Sequence, residues 1–253
     1  MYKDTRPISE PTATASTPAM WATNFASSTR LTKRQEAQFS KSTETRLIQQ
    51  YVRPGGRILD AGCGFGEWVT FLRNRGYDAV GCDFSDELIN RLRVAYPASE
   101  WICSRIEDTP FESGSFDGVI SWGVIEHDEA GPGAALREFY RILKPGGIAI
   151  VTVPIDSRAQ RRSAEILHRS ANLPKAFFQY FMTEEELADE ITGAGFDVLG
   201  KGTLPVAVLQ LVAPRLSRIL TGTAFRIANR LAFTLFSRFE RFRVMLYSVA
   251  SKN

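Results

Sequence analysis

The stretch that decides the fold is ILDAGCGFGEW, residues 58–68. Its apolar run ends at Asp60, three glycines then alternate with other residues, and Glu67 follows where a helical pattern begins. A glycine loop between a strand and a helix often binds phosphate, because the backbone N–H groups and the helix dipole attract an anion. Two carboxylates beside this loop would repel a phosphate. The stretch therefore predicts a ligand that carries positive charge.

The spacing of the glycines separates two classes of ligand. The dinucleotide fingerprint is G-x-G-x-x-G, whereas the glycines here are Gly62, Gly64 and Gly66, and the third position of the fingerprint holds Glu67. S-adenosylmethionine, with a sulfonium and an ammonium, fits the loop better than NAD(P). An acid at the end of the second strand is expected to accept two ribose hydroxyls, and Asp83 has that place.

Strand and helix patterns alternate along most of the chain. The 253 residues are 44% hydrophobic with a net charge of +3, which suits one domain of ordinary size. A polar helix is predicted over residues 33–51, and apolar strands then alternate with helices up to about residue 202. This alternation predicts a parallel sheet with helices on both faces and a ligand at the carboxyl ends of the strands.

Four stretches, in order, resemble the class I S-adenosylmethionine-dependent methyltransferases within about residues 45–202. They are ILDAGCGFGEW, VGCDFS, IEDTPFESGSFDGVISWGVIEH and LREFYRILKPGGIAIVTVP. The resemblance implies an α/β fold with a Rossmann-like, doubly wound, seven-stranded sheet whose last strand is antiparallel. The segment RVMLYSVASKN at the end of the chain is expected to form that last strand.

The resemblance also implies a set of residues that bind the donor. Asp60 and the glycine loop would contact the methionine part, Asp83 the ribose and Phe84 the adenine ring. Ile106 would donate its backbone N–H to the adenine, and Trp122 would lie near the transferred methyl group. The expected donor-binding set is Asp60, Gly62, Cys63, Gly64, Gly66, Asp83, Phe84, Ile106, Glu107 and Trp122.

One position departs from the family pattern. Many relatives carry an acid where this chain has Arg105, and that acid receives the adenine amino group. An arginine has no hydrogen-bond acceptor, so the contact is lost or moves, with Glu107 as the candidate to receive it. No metal ligand set is expected.

His127 is the candidate catalytic residue. It follows the predicted fourth strand in SWGVIEHDEA, beyond the sheet edge where the methyl acceptor should lie. A hydroxyl, an ammonium or an acidic carbon must lose a proton on methylation, and histidine is the common base near neutral pH. The alternative is a histidine that only hydrogen-bonds the loop. Glu126 either orients the imidazole or begins the next helix.

Choice of acceptor is expected to depend on segments added to the core. The candidates are the N-terminal stretch with Trp21 and Phe25, residues 156–182, and residues 204–243. In the last segment apolar residues follow helical spacing, and seven arginines accompany the single acid Glu240. This pattern predicts either a helix packed on the core or a lid over an apolar acceptor, with arginines near an anionic group or membrane surface.

The sequence thus predicts four parts. Residues 1–30 are a flexible leader, 31–203 the donor-binding core, 204–242 a helical insertion that acts as an acceptor lid, and 243–253 the last strand. The expected function is methyl transfer from S-adenosylmethionine to a small acceptor that can be lipophilic, without nucleic acid. The alternatives are an NAD(P)-linked oxidoreductase and a non-enzymatic membrane- or partner-binding protein. Three widely spaced cysteines and the lack of a signal-peptide pattern predict a cytoplasmic protein, with peripheral membrane contact left open.

Overall fold

The computed structural model describes residues 1–7, 31–167, 175–205 and 243–253. Most of the predicted leader, including Trp21 and Phe25, lies outside the described residues, as does His168. The same holds for residues 206–242, which include nearly all of the predicted lid. The lid therefore stays a prediction.

The strands of the described residues form two sheets. The smaller sheet pairs β1 (Tyr2–Pro7) with β7 (Lys175–Phe181) in antiparallel orientation. The larger sheet contains β2 (Arg57–Ala61), β3 (Asp78–Asp83), β4 (Glu100–Cys103), β5 (Phe116–Trp122), β6 (Leu143–Pro154), β8 (Asp197–Pro205) and β9 (Arg243–Ser251). Their order is β4-β3-β2-β5-β6-β9-β8, and β9 runs antiparallel to both of its neighbours. The predicted Rossmann-like sheet with an antiparallel last strand is confirmed.

Seven α-helices are present in the described part of the chain. They are α1 (Lys33–Phe39), α2 (Thr43–Tyr51), α3 (Glu67–Arg73), α4 (Asp86–Ala95), α5 (Gly133–Ile142), α6 (Arg158–Leu167) and α7 (Glu184–Gly193). A short 3₁₀ helix, Ile125–His127, follows β5. Side chains cap the N-termini of two helices: that of Ser85 accepts the N–H of Leu88 at α4, and Thr183 makes a capping box with Glu186 at α7.

The sheet order places a ligand site beside β2. The chain passes from β2 outward through β3 to β4, and then returns to the other side of β2 to form β5 and β6. The strand order reverses at β2, so the loops that follow β2 and β5 diverge and leave a crevice at their carboxyl ends. Buried apolar side chains cover both faces of the sheet, as in parallel sheets flanked by helices.

Two expectations from the sequence are wrong. Residues 2–7 form a strand, where a flexible leader was expected, because β1 finds its partner in β7, about 170 residues away in the sequence. Residues 33–51 form two helices rather than one. The break lies before Ser42, whose side chain accepts the N–H of Thr45 and caps a new helix.

Two features are absent from the described residues. These residues contain no helix that is long and apolar enough to cross a membrane. The same residues contain no group of three His, Cys, Asp or Glu side chains that could hold a metal ion.

Candidate active site

A cavity of about 210 Å³ opens at the carboxyl ends of β2 to β5. Eight of the predicted site residues line it, namely Gly62, Gly64, Asp83, Phe84, Ile106, Glu107, Trp122 and His127. Five more wall residues are Leu88, Arg105, Gly123, Val124 and Asp128. Four of these five were not predicted as site residues, and Arg105 was noted only as a departure from the family pattern. Leu88, Gly123 and Val124 have no polar side-chain group, so nothing in the sequence distinguishes them from core residues.

The glycine loop uses its backbone N–H groups within the protein. The N–H groups of Gly62 and Cys63 both donate to the carbonyl of Cys82, at 2.8 and 2.9 Å. The N–H of Gly64 donates to Asp83 at 3.0 Å, and that of Gly66 donates to the carbonyl of Cys63 at 2.9 Å. A pyrophosphate at this loop would need such donors. Their engagement elsewhere disfavours a dinucleotide and agrees with the loop spacing.

Two glycines of the loop have different roles. Gly62 has a φ of +84°, and a Cβ at this position would lie 2.5 Å from Cγ2 of Val124, so the residue is required for packing. Gly64 has a φ of +49°, and a Cβ there would meet no atom within 4 Å. Because Gly64 also lines the cavity, its missing side chain leaves open space beside the loop. A ligand can therefore approach the backbone closely at Gly64.

Asp83 joins the cavity wall to the loop. It ends β3, and its Oδ2 accepts the N–H of Gly64 while its Oδ1 accepts the N–H of Ser85 at 2.9 Å. Burial raises the pKa of Asp83, against the effect of these backbone hydrogen bonds. A carboxylate has about four acceptor positions. Asp83 can therefore hold the loop and still accept hydroxyl groups from a ligand.

Asp60 is buried and does not line the cavity. Its strand is central, with Gly81 of β3 and Ile120 of β5 as neighbours, and the residue is 3% exposed. Burial raises the pKa of Asp60 to about 8, and the nearby charge of Asp83 adds to this effect. Asp60 does not line the cavity, and its contact with a ligand stays a prediction.

Cys63 and Gly66 also lie off the cavity wall. Cys63 is buried, and its Sγ faces Gly81, where an added Cβ would lie 3.0 Å away. Gly66 precedes α3, and a Cβ at that position would be 2.3 Å from the ring of Trp101. The last glycine of the motif is thus needed for contact with an indole ring. This packing role could not be distinguished from ligand contact in the sequence.

The predicted adenine side contains a salt bridge. Nη2 of Arg105 donates to Oε1 of Glu107 at 3.1 Å, with Arg105 largely exposed and Glu107 mostly buried. Phe84, Leu88 and Ile106 supply the apolar part of this wall. The charge of Glu107 is therefore already balanced by Arg105, although its carboxylate retains acceptor positions for a ligand amino group.

The opposite wall begins at the end of β5. The ring of Trp122 packs against that of Trp68 with centroids 5.4 Å apart, and its indole N–H makes no hydrogen bond within the described residues. Trp68 stacks in turn on Phe39 of α1, with centroids 4.4 Å apart. The side chain of Glu67 accepts a hydrogen bond from Gln35, and burial raises its pKa. Helix α1 therefore covers the start of α3, and its Gln35 is a neutral partner for Glu67.

His127 lies on the cavity wall with a defined orientation. Its Nδ1 is 2.7 Å from the carbonyl oxygen of Phe178, and the rings of the two residues pack edge-to-face with centroids 4.9 Å apart. A carbonyl oxygen only accepts hydrogen bonds, so Nδ1 carries the hydrogen. In the neutral ring Nε2 is then the basic nitrogen. The sequence predicted His127 but not its partner on β7.

Glu126 is a buried acid next to His127. It is 2% exposed, and its Oε2 makes no hydrogen bond within the described chain. Burial raises the pKa of Glu126 to about 8. The residue belongs to the 3₁₀ helix and does not begin α5, whose N-cap is Pro132.

Comparison with known proteins identifies the fold and the domain. Residues 59–151 match the family described as a methyltransferase domain. An uncharacterized methyltransferase of Synechocystis sp. is 29% identical over 180 residues, which cover 66% of this chain and 79% of the relative. A malonyl-[acyl-carrier protein] O-methyltransferase of Erwinia pyrifoliae is 32% identical over 55% of this chain. This chain spans 54% of that relative's length, and 44–49% of two other relatives.

Solved structures share the fold over most of the chain. A chain of the complex between the Haloferax volcanii Trm112 methyltransferase activator and the putative methyltransferase superposes with a TM-score of 0.62 at 21% identity. The match covers 92% of this chain and 96% of that one. A geranyl diphosphate methyltransferase in complex with S-adenosylmethionine gives a TM-score of 0.58 at 16% identity, covering 88% of this chain and 92% of that one.

Proposed function

We propose that the chain, whose residues 59–151 match the family described as a methyltransferase domain, is a class I S-adenosylmethionine-dependent methyltransferase that methylates a small, lipophilic acceptor at the cavity beside the glycine loop. One observation carries the proposal. Gly64 opens onto empty space beside the carboxylate of Asp83, while the neighbouring N–H groups are engaged within the protein. The site can take a ribose and a cation but offers little to a pyrophosphate.

The residues present fit the donor. Asp83 offers acceptor positions for two vicinal hydroxyls, and the apolar side chains of Phe84 and Ile106 border the space for a flat ring. Buried carboxyls at Asp60 and Asp83 make the region beneath the loop favourable for positive charge. When bound, S-adenosylmethionine supplies an electrophilic methyl group on its sulfonium.

The walls of the cavity orient the reacting groups and exclude water. Methyl transfer requires donor and acceptor to be held in line at near-contact distance. Trp122, Val124 and Leu88 provide rigid apolar surface for this purpose, and they limit the access of water to the reacting centre.

His127 is the proposed general base. Because Nδ1–H is held by Phe178, Nε2 is the nitrogen that can take a proton from the acceptor. A base is needed for a hydroxyl, an ammonium or an acidic carbon. A carboxylate acceptor would need none, so the presence of His127 on the wall favours the first three.

The relatives indicate a range of acceptors. Their names include a malonyl-[acyl-carrier protein] O-methyltransferase and a geranyl diphosphate methyltransferase, so acceptors with carbon chains occur among them. For this chain the apolar wall residues and the arginine-rich segment at residues 204–243 support a lipophilic acceptor with an anionic group.

Two measurements test the proposal. Calorimetric titration with S-adenosylmethionine and, separately, with NAD should give binding of the first alone. Release of S-adenosylhomocysteine should then be measured across a panel of lipophilic phenols, amines, enols and carboxylates, with an unrelated methyltransferase as positive control. Preferential binding of NAD, or turnover confined to carboxylates, would overturn the donor or the base assignment respectively.

A further inference from the structure

The small sheet of β1 and β7, called the ribbon from here on, borders the His127 wall of the cavity. In the register of the two strands, Asp4 pairs with Gln179 and the next residue, Thr5, pairs with Phe177. The register therefore skips Phe178. Phe178 is therefore the extra residue of a β-bulge, whose ladder bonding is locally interrupted. Its carbonyl accepts the hydrogen bond from Nδ1 of His127. At the bulge, the backbone carbonyl of Phe178 therefore points towards His127, the candidate base.

Two further contacts join the ribbon to the chain just after His127. Lys3 and Tyr180 are directly paired across the ribbon, so their side chains lie on the same face. The hydroxyl of Tyr180 donates to the backbone carbonyl of Glu129 at 2.9 Å, and Nζ of Lys3 lies 2.5 Å from Oε1 of the same residue. One cross-strand pair therefore holds both the backbone and the side chain of Glu129.

The ribbon is itself anchored on another side. The ring of Tyr2 stacks on Phe181 with centroids 5.7 Å apart, and the guanidinium of Arg161 lies 4.8 Å from the centre of the Tyr2 ring. Arg161 belongs to α6 and makes a salt bridge with Asp156, whose side chain is 4% exposed. Strand β1 is thus fixed between a helix that follows β6 and the loop that carries the base.

We propose that the ribbon is a positioning element that sets the tautomer and orientation of His127. The bulged carbonyl of Phe178 holds the hydrogen on Nδ1, the Phe178 ring restricts rotation of the imidazole, and the Lys3–Tyr180 pair keeps the loop against β7. This inference rests on the proposed function, in which Nε2 takes a proton. None of the ribbon residues lines the cavity, so we infer that they act through His127.

The tautomer of His127 can be measured without an acceptor. The chain has only two histidines, His127 and His168, so ¹⁵N-histidine labelling gives two sets of ring signals. The variant His168→Gln assigns them. At a pH where the His127 ring is neutral, the full chain should show the hydrogen on Nδ1.

Two changes to the ribbon test its role. The first is the double variant Lys3→Met and Tyr180→Phe, and the second is a chain lacking residues 1–7. Each should lower the ratio of the Nδ1–H to the Nε2–H tautomer by about 2- to 10-fold, the range that corresponds to one ordinary hydrogen bond. The matched control is Lys41→Met with Tyr140→Phe, which removes the same groups at positions away from the ribbon and should leave the ratio unchanged.

The outcomes separate this inference from the proposed function. An unchanged tautomer ratio in the double variant, with the chain folded, overturns the inference whether or not the shortened chain folds. A lowered ratio with an unchanged affinity for S-adenosylmethionine supports it. Full turnover by His127→Gln, using the acceptor most active in the panel, would overturn the base role alone and would not alter the tautomer result.

Discussion

Asp83 and Gly64 are joined by a hydrogen bond of 3.0 Å from the loop N–H to Oδ2 of the carboxylate. The group proposed to bind the ribose is therefore also the group that fixes the glycine loop at its most open point. Removal of the Asp83 charge should affect both the hydroxyl contacts of the donor and the shape of the loop beneath it.

Replacement of Asp83 by Ala is expected to weaken binding of S-adenosylmethionine by about 1.5–3 kcal/mol, as for other charge-assisted hydrogen bonds. Calorimetric titration measures this loss. The control is Asp86→Asn, which removes an exposed acid three residues further along the same segment. Equal affinities for Asp83→Ala and wild type would show that the ribose contact is wrongly assigned.

The glycines at 62 and 64 should respond differently to alanine. Gly64→Ala places a methyl group in open space beside the donor, so it should reduce donor affinity by about tenfold or more with a small loss of thermal stability. Gly62→Ala forces a contact with Val124 and should mainly lower the melting temperature, by several degrees. Thermal denaturation and calorimetric titration of both variants measure these effects. Weaker donor binding in Gly62→Ala alone, or a larger loss of stability in Gly64→Ala, would contradict the assigned roles.

Loss of the His127 ring should slow catalysis without changing donor binding. His127→Gln is expected to lower kcat by about 10²-fold, because a general base contributes about 10²–10⁴-fold. The affinity for S-adenosylmethionine should stay within a factor of two or so. His168→Gln is the control for a general effect of replacing a histidine. Wild-type kcat in His127→Gln would leave the residue with a structural role only.

Donor binding should release protons because of Asp60. Its carboxyl is protonated below a pKa of about 8, and a cation nearby favours the ionised form. At pH 7 up to one proton should therefore be released for each S-adenosylmethionine bound. Calorimetry in buffers of different ionisation enthalpy counts these protons. Asp60→Asn should abolish most of the release, and a count that stays the same in this variant would refute the linkage.

The same carboxyl affects the stability of the unliganded protein. The folded-state pKa of Asp60 is raised, so the folded chain binds more protons than the unfolded chain between about pH 4 and pH 8. The stabilisation is present at low pH within this window and is lost as the pH rises towards 8. Glu126, with a pKa also near 8, acts in the same direction. The double variant Asp60→Asn, Glu126→Gln should therefore show a flatter dependence of the melting temperature on pH.

The parts of the fold that could be predicted are those with local causes. Strands β2 to β5 are short and mostly apolar, and the cap at Ser85 needs only the neighbouring turn. In β6 the predicted strand IAIVTVP is present, but the strand begins earlier, at Leu143. Strand β1 was missed because its sequence, YKDTRP, is polar and has no local partner. Its pairing with β7 depends on contacts between distant parts of the chain, for which a single sequence gives no indication.

The candidate site shows the same limit. The sequence indicated that the carboxyl ends of the strands meet at one edge of the sheet, and eight of the residues proposed from the family resemblance line the cavity at that edge. It could not show that Asp60 is buried off the cavity wall or that Gly66 packs against Trp101. Both outcomes depend on side chains that approach from other elements. The hydrogen-bond partner of His127 is the backbone carbonyl of Phe178 at the bulge. Every residue type has such a carbonyl, so the sequence could not indicate this contact.

The double hydrogen bond to the carbonyl of Cys82 has a kinetic consequence. Since the N–H groups of Gly62 and Cys63 are anchored to β3, the loop holds its shape by contacts that any ligand leaves intact. The loop then loses little conformational entropy when the donor binds. Ordering of the loop therefore does not limit the association rate. Amide hydrogen exchange at these two residues should be slow in the ligand-free chain and change little when the donor binds, so the donor's residence time is governed by Asp83 and the cavity walls.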